Sequence, residues 1–181
     1  MSDIQYSFAP QSPWTYLGHL RFWDRARQHQ ARSEVLPVDL GGKVFPISGG
    51  LPLGKRAPQR QAYRLVELQR FAEYLHAPLK LQPRHFPVAG DDAARLIIAV
   101  ALHDGSDAAM KITDAVLRAV WVEERNIADE ATLATLLSER ELPARRLEDA
   151  HSQAVQERYE GNTQRAIDAG VFGAPSYVIE G

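Results

Sequence analysis

The chain contains no cysteine. That excludes disulfides, thiolate metal sites and a protein-borne thiol nucleophile together, so any thiol chemistry here must arrive with a ligand. Charge of one sign is also lacking. Lys and Arg number 21 against 23 Asp and Glu, for a formal net charge of -2, which offers nucleic acid or a membrane surface no electrostatic attraction and leaves a small neutral or anionic ligand as the expected partner. No apolar run approaches membrane-spanning length, and the start MSDIQYSF has no basic region followed by an apolar core; the expected address is cytoplasmic. His19, His29, His76, His85, His103 and His151 are scattered without ligand spacing, so no metal site is expected. No serine lies in a G-x-S-x-G turn, which removes the hydrolase signature. Internal repeats and low-complexity segments are absent as well. What is present is 45% hydrophobic residues over 181 positions, ample for a real core.

Chemistry is expected first at residues 8–17, Phe-Ala-Pro-Gln-Ser-Pro-Trp-Thr-Tyr-Leu. Ile4, Tyr6 and Phe8 alternate at strand period, two prolines punctuate the exit, and Leu17, Leu20, Phe22 and Trp23 follow at helical intervals. Ser12 falls at the N-cap and Pro13 at the first helical position. Capping alone explains that pair, because the serine hydroxyl accepts an orphan backbone N–H and proline has none to leave unpaired. A helix N-terminus also favours anions, a thiolate held beside a hydroxyl included.

Beyond that turn the pattern predicts a strand over residues 34–40, placed at an edge or bulge by Pro37, and an unusually long Gly/Pro-rich loop over residues 41–58. Residues 59–75 read as a helix with Leu65, Leu68, Ala72 and Leu75 on a core stripe. Asp91 or Asp92 caps another, closed by Gly105, and Asp107 opens its antiparallel partner through Ile112, Ala115, Val116, Ala119 and Val120. Asp129 starts a short helix, and residues 143–169 are helical again with a break expected near Gly161. The end of the chain passes from Gly170 through Ala174-Pro175 into Ser176-Tyr177-Val178-Ile179. Proline at a strand entrance admits two readings, a trans residue starting an edge strand or a cis peptide presenting the preceding backbone to a ligand.

These pieces together resemble the 2-hydroxychromene-2-carboxylate isomerases, which group with class kappa glutathione transferases and the DsbA-type oxidoreductases. The resemblance rests on Ser12-Pro13-x-x-Tyr16-Leu17, on Tyr63-x-x-x-Glu67-Leu68-Gln69-Arg70-Phe71-Ala72 with Pro78-Leu79, on Ala119-Val120-Trp121 with Ile127-Ala128-Asp129, and on Asn162-Thr163-x-x-Ala166-Ile167 leading to Gly170-Val171-Phe172-Gly173-Ala174-Pro175-Ser176.

The resemblance implies an α/β fold, a thioredoxin-like domain over residues 1–58 and 160–181 with an all-helical insertion over residues 59–159. It implies glutathione as cofactor and, as activity, glutathione-dependent isomerisation of an aromatic 2-oxo acid of the hydroxychromene-carboxylate type. A kappa-type transferase or peroxidase and a non-catalytic binding module are the alternatives. By position, Ser12 matches the catalytic serine, Ala174 and Pro175 the cis-proline pair that meets the peptide of glutathione, and Lys55 a basic residue near the ligand. Trp14, Arg84 and His85 are candidates for the substrate side. The sequence departs from the family at Ala9, where an acidic residue is usual, and at Gly54, near a usual asparagine. It also stops at Gly181, where the family continues into a further strand and a closing helix. A homodimer is expected, from the resemblance and because Leu96, Val100, Leu117 and Trp121 lie off the main helical stripes.

Overall fold

The structure, a computed structural model, describes residues 3–179. Strand β1 (Asp3–Phe8) is followed by helix α1 (Pro13–Gln28) and strand β2 (Arg32–Pro37), and strand β3 (Ser176–Ile179) returns to the sheet after seven further helices. The order is β2-β1-β3, with β1 parallel to β2 and antiparallel to β3. This is the expected thioredoxin-like α/β arrangement with a helical insertion. Pro37 ends β2, an edge strand, where a missing N–H costs no ladder bond. The alternation expected for β1 gives way at its end to continuous burial of Tyr6, Ser7 and Phe8, because a central strand is covered on both faces.

Between β2 and β3 the chain is helical. The long loop folds into a π-helical turn (Leu40–Val44), a one-turn helix α2 (Phe45–Ser48) and a 3-10 turn (Leu53–Lys55). Helix α3 (Pro58–Tyr74) lies on the surface, with Leu68 and Arg64 its buried residues and Leu65 and Ala72 half-buried. The stripe read as core is therefore only partly so. Helices α4 (Asp91–Asp104) and α5 (Ser106–Trp121) pack as the expected pair about Gly105, whose φ of 87° suits glycine at a sharp reversal. Asp91 and Asp92 occupy the first turn of α4 rather than its cap, which is Gly90. Helices α6 (Glu130–Glu139), α7 (Arg146–Asp149) and α8 (Gln153–Asp168) follow.

Two expectations are corrected here. The helical run breaks at residues 150–152, and α8 continues through Gly161; Gly161 is exposed, while Tyr159, Asn162, Thr163 and Ala166 beside it are anchored in the interior, which outweighs a glycine penalty of about 1 kcal/mol. The domain boundary placed at 159/160 thus falls inside α8. Leu96, Val100, Leu117 and Trp121 are each 0% exposed within one chain, because α4 and α5 are packed between the sheet and the other helices over most of their surface. They form no surplus face for a partner.

One core joins the sheet to the insertion, since Tyr6, Phe8 and Val35 pack in the same cluster as the apolar residues of α4, α5 and α6. Helix α8 ties down β2 and its exit. The Arg165 guanidinium donates to both Glu34 carboxylate oxygens at 2.7 Å, Thr163 Oγ1 accepts the Asp39 N–H at 3.0 Å, and Tyr159 donates to Asp91 at 3.0 Å. The arginine holds Glu34 below the usual carboxylate range. No helix among the described residues is long and apolar enough to cross a membrane.

Candidate functional site

The β1–α1 turn places Ser12 as the sequence implies. Ser12 is the N-cap of α1 with Pro13 in the first turn, and its Oγ accepts the Thr15 N–H at 3.2 Å. Its N–H donates to Ala9 O at 3.0 Å and its carbonyl accepts from Tyr16. Capping uses one of the oxygen's two lone pairs and leaves the hydroxyl proton, which no described residue receives. That half-buried proton is available to an anion at the positive end of a 16-residue helix.

A polar knot at the far side of α1 holds the turn in place. His19 Nε2 lies 3.0 Å from Met110 O on α5, and Nδ1 lies 3.0 Å from the Tyr6 hydroxyl on β1. A carbonyl only accepts, so Nε2 carries the proton and Nδ1 accepts from Tyr6; the neutral ring is then fully paired. Burial lowers the His19 pKa to about 4 against the Met110 bond that raises it, and pushes the Tyr6 hydroxyl well up. Tyr6 stacks on Phe8 at 4.6 Å and on Tyr177 of β3 at 5.5 Å. Gly18 lets α1 approach that strand: a Cβ there would stand 3.1 Å from the Tyr177 hydroxyl and 3.5 Å from Pro175 Cγ.

The Ala174–Pro175 peptide is cis. Ser12 and Ala174 line the same cleft, about 820 Å³ in volume, and neither the N–H nor the C=O of Ala174 is bonded to another described residue. Trp14 also lines the cleft, its ring edge-on to Phe71 of α3 at 5.7 Å. Ala9, at the family's acidic position, is buried against the cleft wall. Lys55 is exposed and not among the lining residues; nor are Arg84 and His85, whose neighbours Phe86, Pro87 and Val88 are. The Arg84 N–H instead donates to Glu124 at 3.2 Å. No cluster of metal-ligating side chains occurs among the described residues.

The charge in the cleft is of one sign. Arg56, Arg60 and Arg64 line it, without any carboxylate among the lining residues, on a chain that is net negative. Sequence reading missed these three, although the spacing of four between Arg60 and Arg64 was a signal that those two share a face of α3; Arg56 precedes the helix in extended backbone. Gln11 lines the cleft too, seated on Gly90, where even a Cβ would come within 2.2 Å of its Oε1. The cleft can thus offer a hydroxyl proton, free backbone groups and guanidinium donors to an anionic ligand.

The 2-hydroxychromene-2-carboxylate isomerase of Pseudomonas putida is 29% identical over 180 residues, spanning 97% of this chain and 84% of the relative. A solved structure of 2-hydroxychromene-2-carboxylate isomerase aligns with a TM-score of 0.79 at 25% identity, covering 97% of this chain and 84% of that one. The cytosolic disulfide reductase DsbM from Pseudomonas aeruginosa, solved with GSH, shares the fold with a TM-score of 0.72 at 19% identity, covering 98% and 86%. A family model described as a DSBA-like thioredoxin domain matches residues 3–181, and with that match over nearly every residue the chain belongs to the DSBA-like thioredoxin domain family.

Proposed function

We propose that the protein is a glutathione-dependent isomerase of conjugated aromatic 2-oxo acids of the 2-hydroxychromene-2-carboxylate type. The observation that carries the reading is the uncommitted Ser12 hydroxyl proton at the start of α1, on a cleft shared with Ala174. The 29% identical relative is an enzyme of that name, which supports it. Thiol–disulfide exchange on a cysteine pair of its own has no basis in a chain without cysteine.

Glutathione fits the donor set: a thiol for Ser12 and a peptide for the free backbone groups of Ala174. When bound, it would supply a thiolate, the nucleophile for the substrate's conjugated double bond. Ser12 would hold the sulfur as thiolate by donating an O–H hydrogen bond to it. A hydrogen bond to a charged group is worth about 1.5–3 kcal/mol, against roughly 0.3–1 kcal/mol from a helix N-terminus, so the hydroxyl is the larger contribution. Trp14 and Phe86 supply flat apolar walls for an aromatic body. Pairing into a homodimer belongs to this proposal through the family resemblance, and sedimentation equilibrium reads it directly.

Replacing Ser12 by Ala should raise the pKa of bound glutathione's thiol by about one to two units, read from thiolate absorbance across pH. An unchanged titration removes Ser12 from the mechanism. Calorimetry of the whole chain with glutathione comes first, because absence of binding leaves the protein a thioredoxin-fold binding module. Product analysis with an aromatic 2-oxo acid separates isomerisation from kappa-type conjugation.

A further inference from the structure

Arg64 is 8% exposed and lines the cleft from the buried side of α3. It makes no hydrogen bond or ion pair with any described residue; its guanidinium lies over the rings of Phe86 and Trp121, at 5.3 and 5.9 Å from their centroids. The guanidinium keeps some contact with solvent in the cleft, so the charge is partly desolvated without a partner, a cost that a bound anion would offset. Two aromatic faces return only part of that. The nearest help is of the wrong sign, since burial and the charge of Arg56 both push the Arg64 pKa down. Arg56 is itself pinned, its Nε donating to Leu51 O at 2.8 Å, which leaves its remaining N–H donors without a carboxylate among the described residues. Arg60 completes the row on the exposed side.

We propose that Arg64, with Arg56 beside it, is the carboxylate-binding group of the cleft and selects planar conjugated acids as the second substrate. The guanidinium fork pairs both carboxylate oxygens at once, and Phe86, already under Arg64, extends the same surface to the conjugated body of the acid. An anion between Arg64 and Arg56 relieves their repulsion, so occupancy is favoured twice. The proposal rests on the reading of this cleft as the substrate site; it assigns Arg64 to the acid rather than to a carboxylate of glutathione.

The test uses the whole chain and two probes of one shape, trans-cinnamate and its neutral amide, titrated by calorimetry with and without glutathione. The wild type should bind cinnamate roughly tenfold or more tightly than the amide. Arg64→Met should abolish that preference and leave glutathione affinity unchanged, while Arg64→Lys, which keeps charge without the fork, should restore only part of it. Equal binding of acid and amide by the wild type, no binding of cinnamate at its solubility limit, or a preference that survives Arg64→Met each overturns the proposal. So does a variant that loses glutathione affinity while keeping the preference, because the arginine then serves glutathione. Should glutathione fail to bind while the acid preference is seen and lost as described, the anion site stands and the isomerase reading falls.

Discussion

Arg146 and Arg64 are nearly equally hidden from solvent, at 3% and 8% exposure, and their surroundings are opposites. Arg146, on α7, donates from Nε and Nη2 to both oxygens of Asp104 at 2.7 and 2.8 Å, and from Nη1 to Asp149 at 2.7 Å. Its charge is spent within the fold: it locks α7 onto the end of α4. Arg64 has rings beneath it, a like charge beside it and no anion. The difference teaches how to separate structure from function among buried polar groups. What matters is how much hydrogen-bonding capacity the fold leaves unused, and in which direction it points.

The contrast breaks most visibly at Arg146. Arg146→Met should destabilise by about 3 kcal/mol, because the half-buried carboxylates of Asp104 and Asp149 lose three charge-assisted hydrogen bonds, and urea denaturation measures it. A loss under about 1 kcal/mol would place Arg146 with the weak surface pairs. Asp104, held below the usual carboxylate range chiefly by the Arg146 hydrogen bonds, adds stability above its unfolded pKa that is lost as pH falls through the lower folded value.

His19 sharpens the comparison on the spent side and comes next in size. Its folded pKa of about 4 lies below the ordinary 6.5, so the unfolded chain binds more protons in between. Stability is therefore full above pH 6.5 and falls by up to roughly 3 kcal/mol as pH drops towards 4. Urea midpoints across that window should show the slope, and the His19 ring resonances should stay those of neutral imidazole well below pH 6. A ring that titrates near 6.5 contradicts the paired-tautomer account.

Ser12 stands between the two cases, one of its lone pairs used and its proton not. Ser12→Ala should cost about 1 kcal/mol of stability through the lost cap, a modest loss set against the change in bound thiol pKa. The smallest effect on stability belongs to Arg64→Met, within about 0.5 kcal/mol of wild type, since the variant keeps bulk near Phe86 and Trp121 while removing an unpaired charge. If its melting temperature falls as far as that of Arg146→Met, Arg64 is structural after all.

Local chemistry was legible in the sequence and tertiary placement was not. Ser12 as N-cap and Pro13 in the first turn depend on a few adjacent residues, and both stand where the pattern put them. The same holds for the proline entering β3, although the choice between cis and trans required the structure. Arg64 was hidden beside Leu65 and one turn before Leu68 on a helix whose inward face was read as wholly apolar, because helical periodicity says which residues share a face and nothing of what that face meets. Leu96, Val100, Leu117 and Trp121 looked surplus for the same reason: no count along the chain shows how much of α4 and α5 the rest of the fold covers. Gly161 carried a local breaker signal that the burial of its neighbours overrides.

The pairing of β3 with β1 matches Ile4 to Ile179, so the two walls of the cleft that carry Ser12 and Ala174 are separated by nearly the whole chain. Closing so long a loop is the entropically slow part of folding, whereas α4 and α5 meet across one glycine and can dock early. During synthesis Ser12 leaves the ribosome long before Tyr177, and until then the Tyr6–Phe8–Phe22 cluster lacks its fourth ring. The cleft is therefore expected to form late in folding, after the helices that flank it. In refolding, burial of Trp121 should precede recovery of ligand binding, which makes binding a reporter of the finished molecule rather than of its helical half.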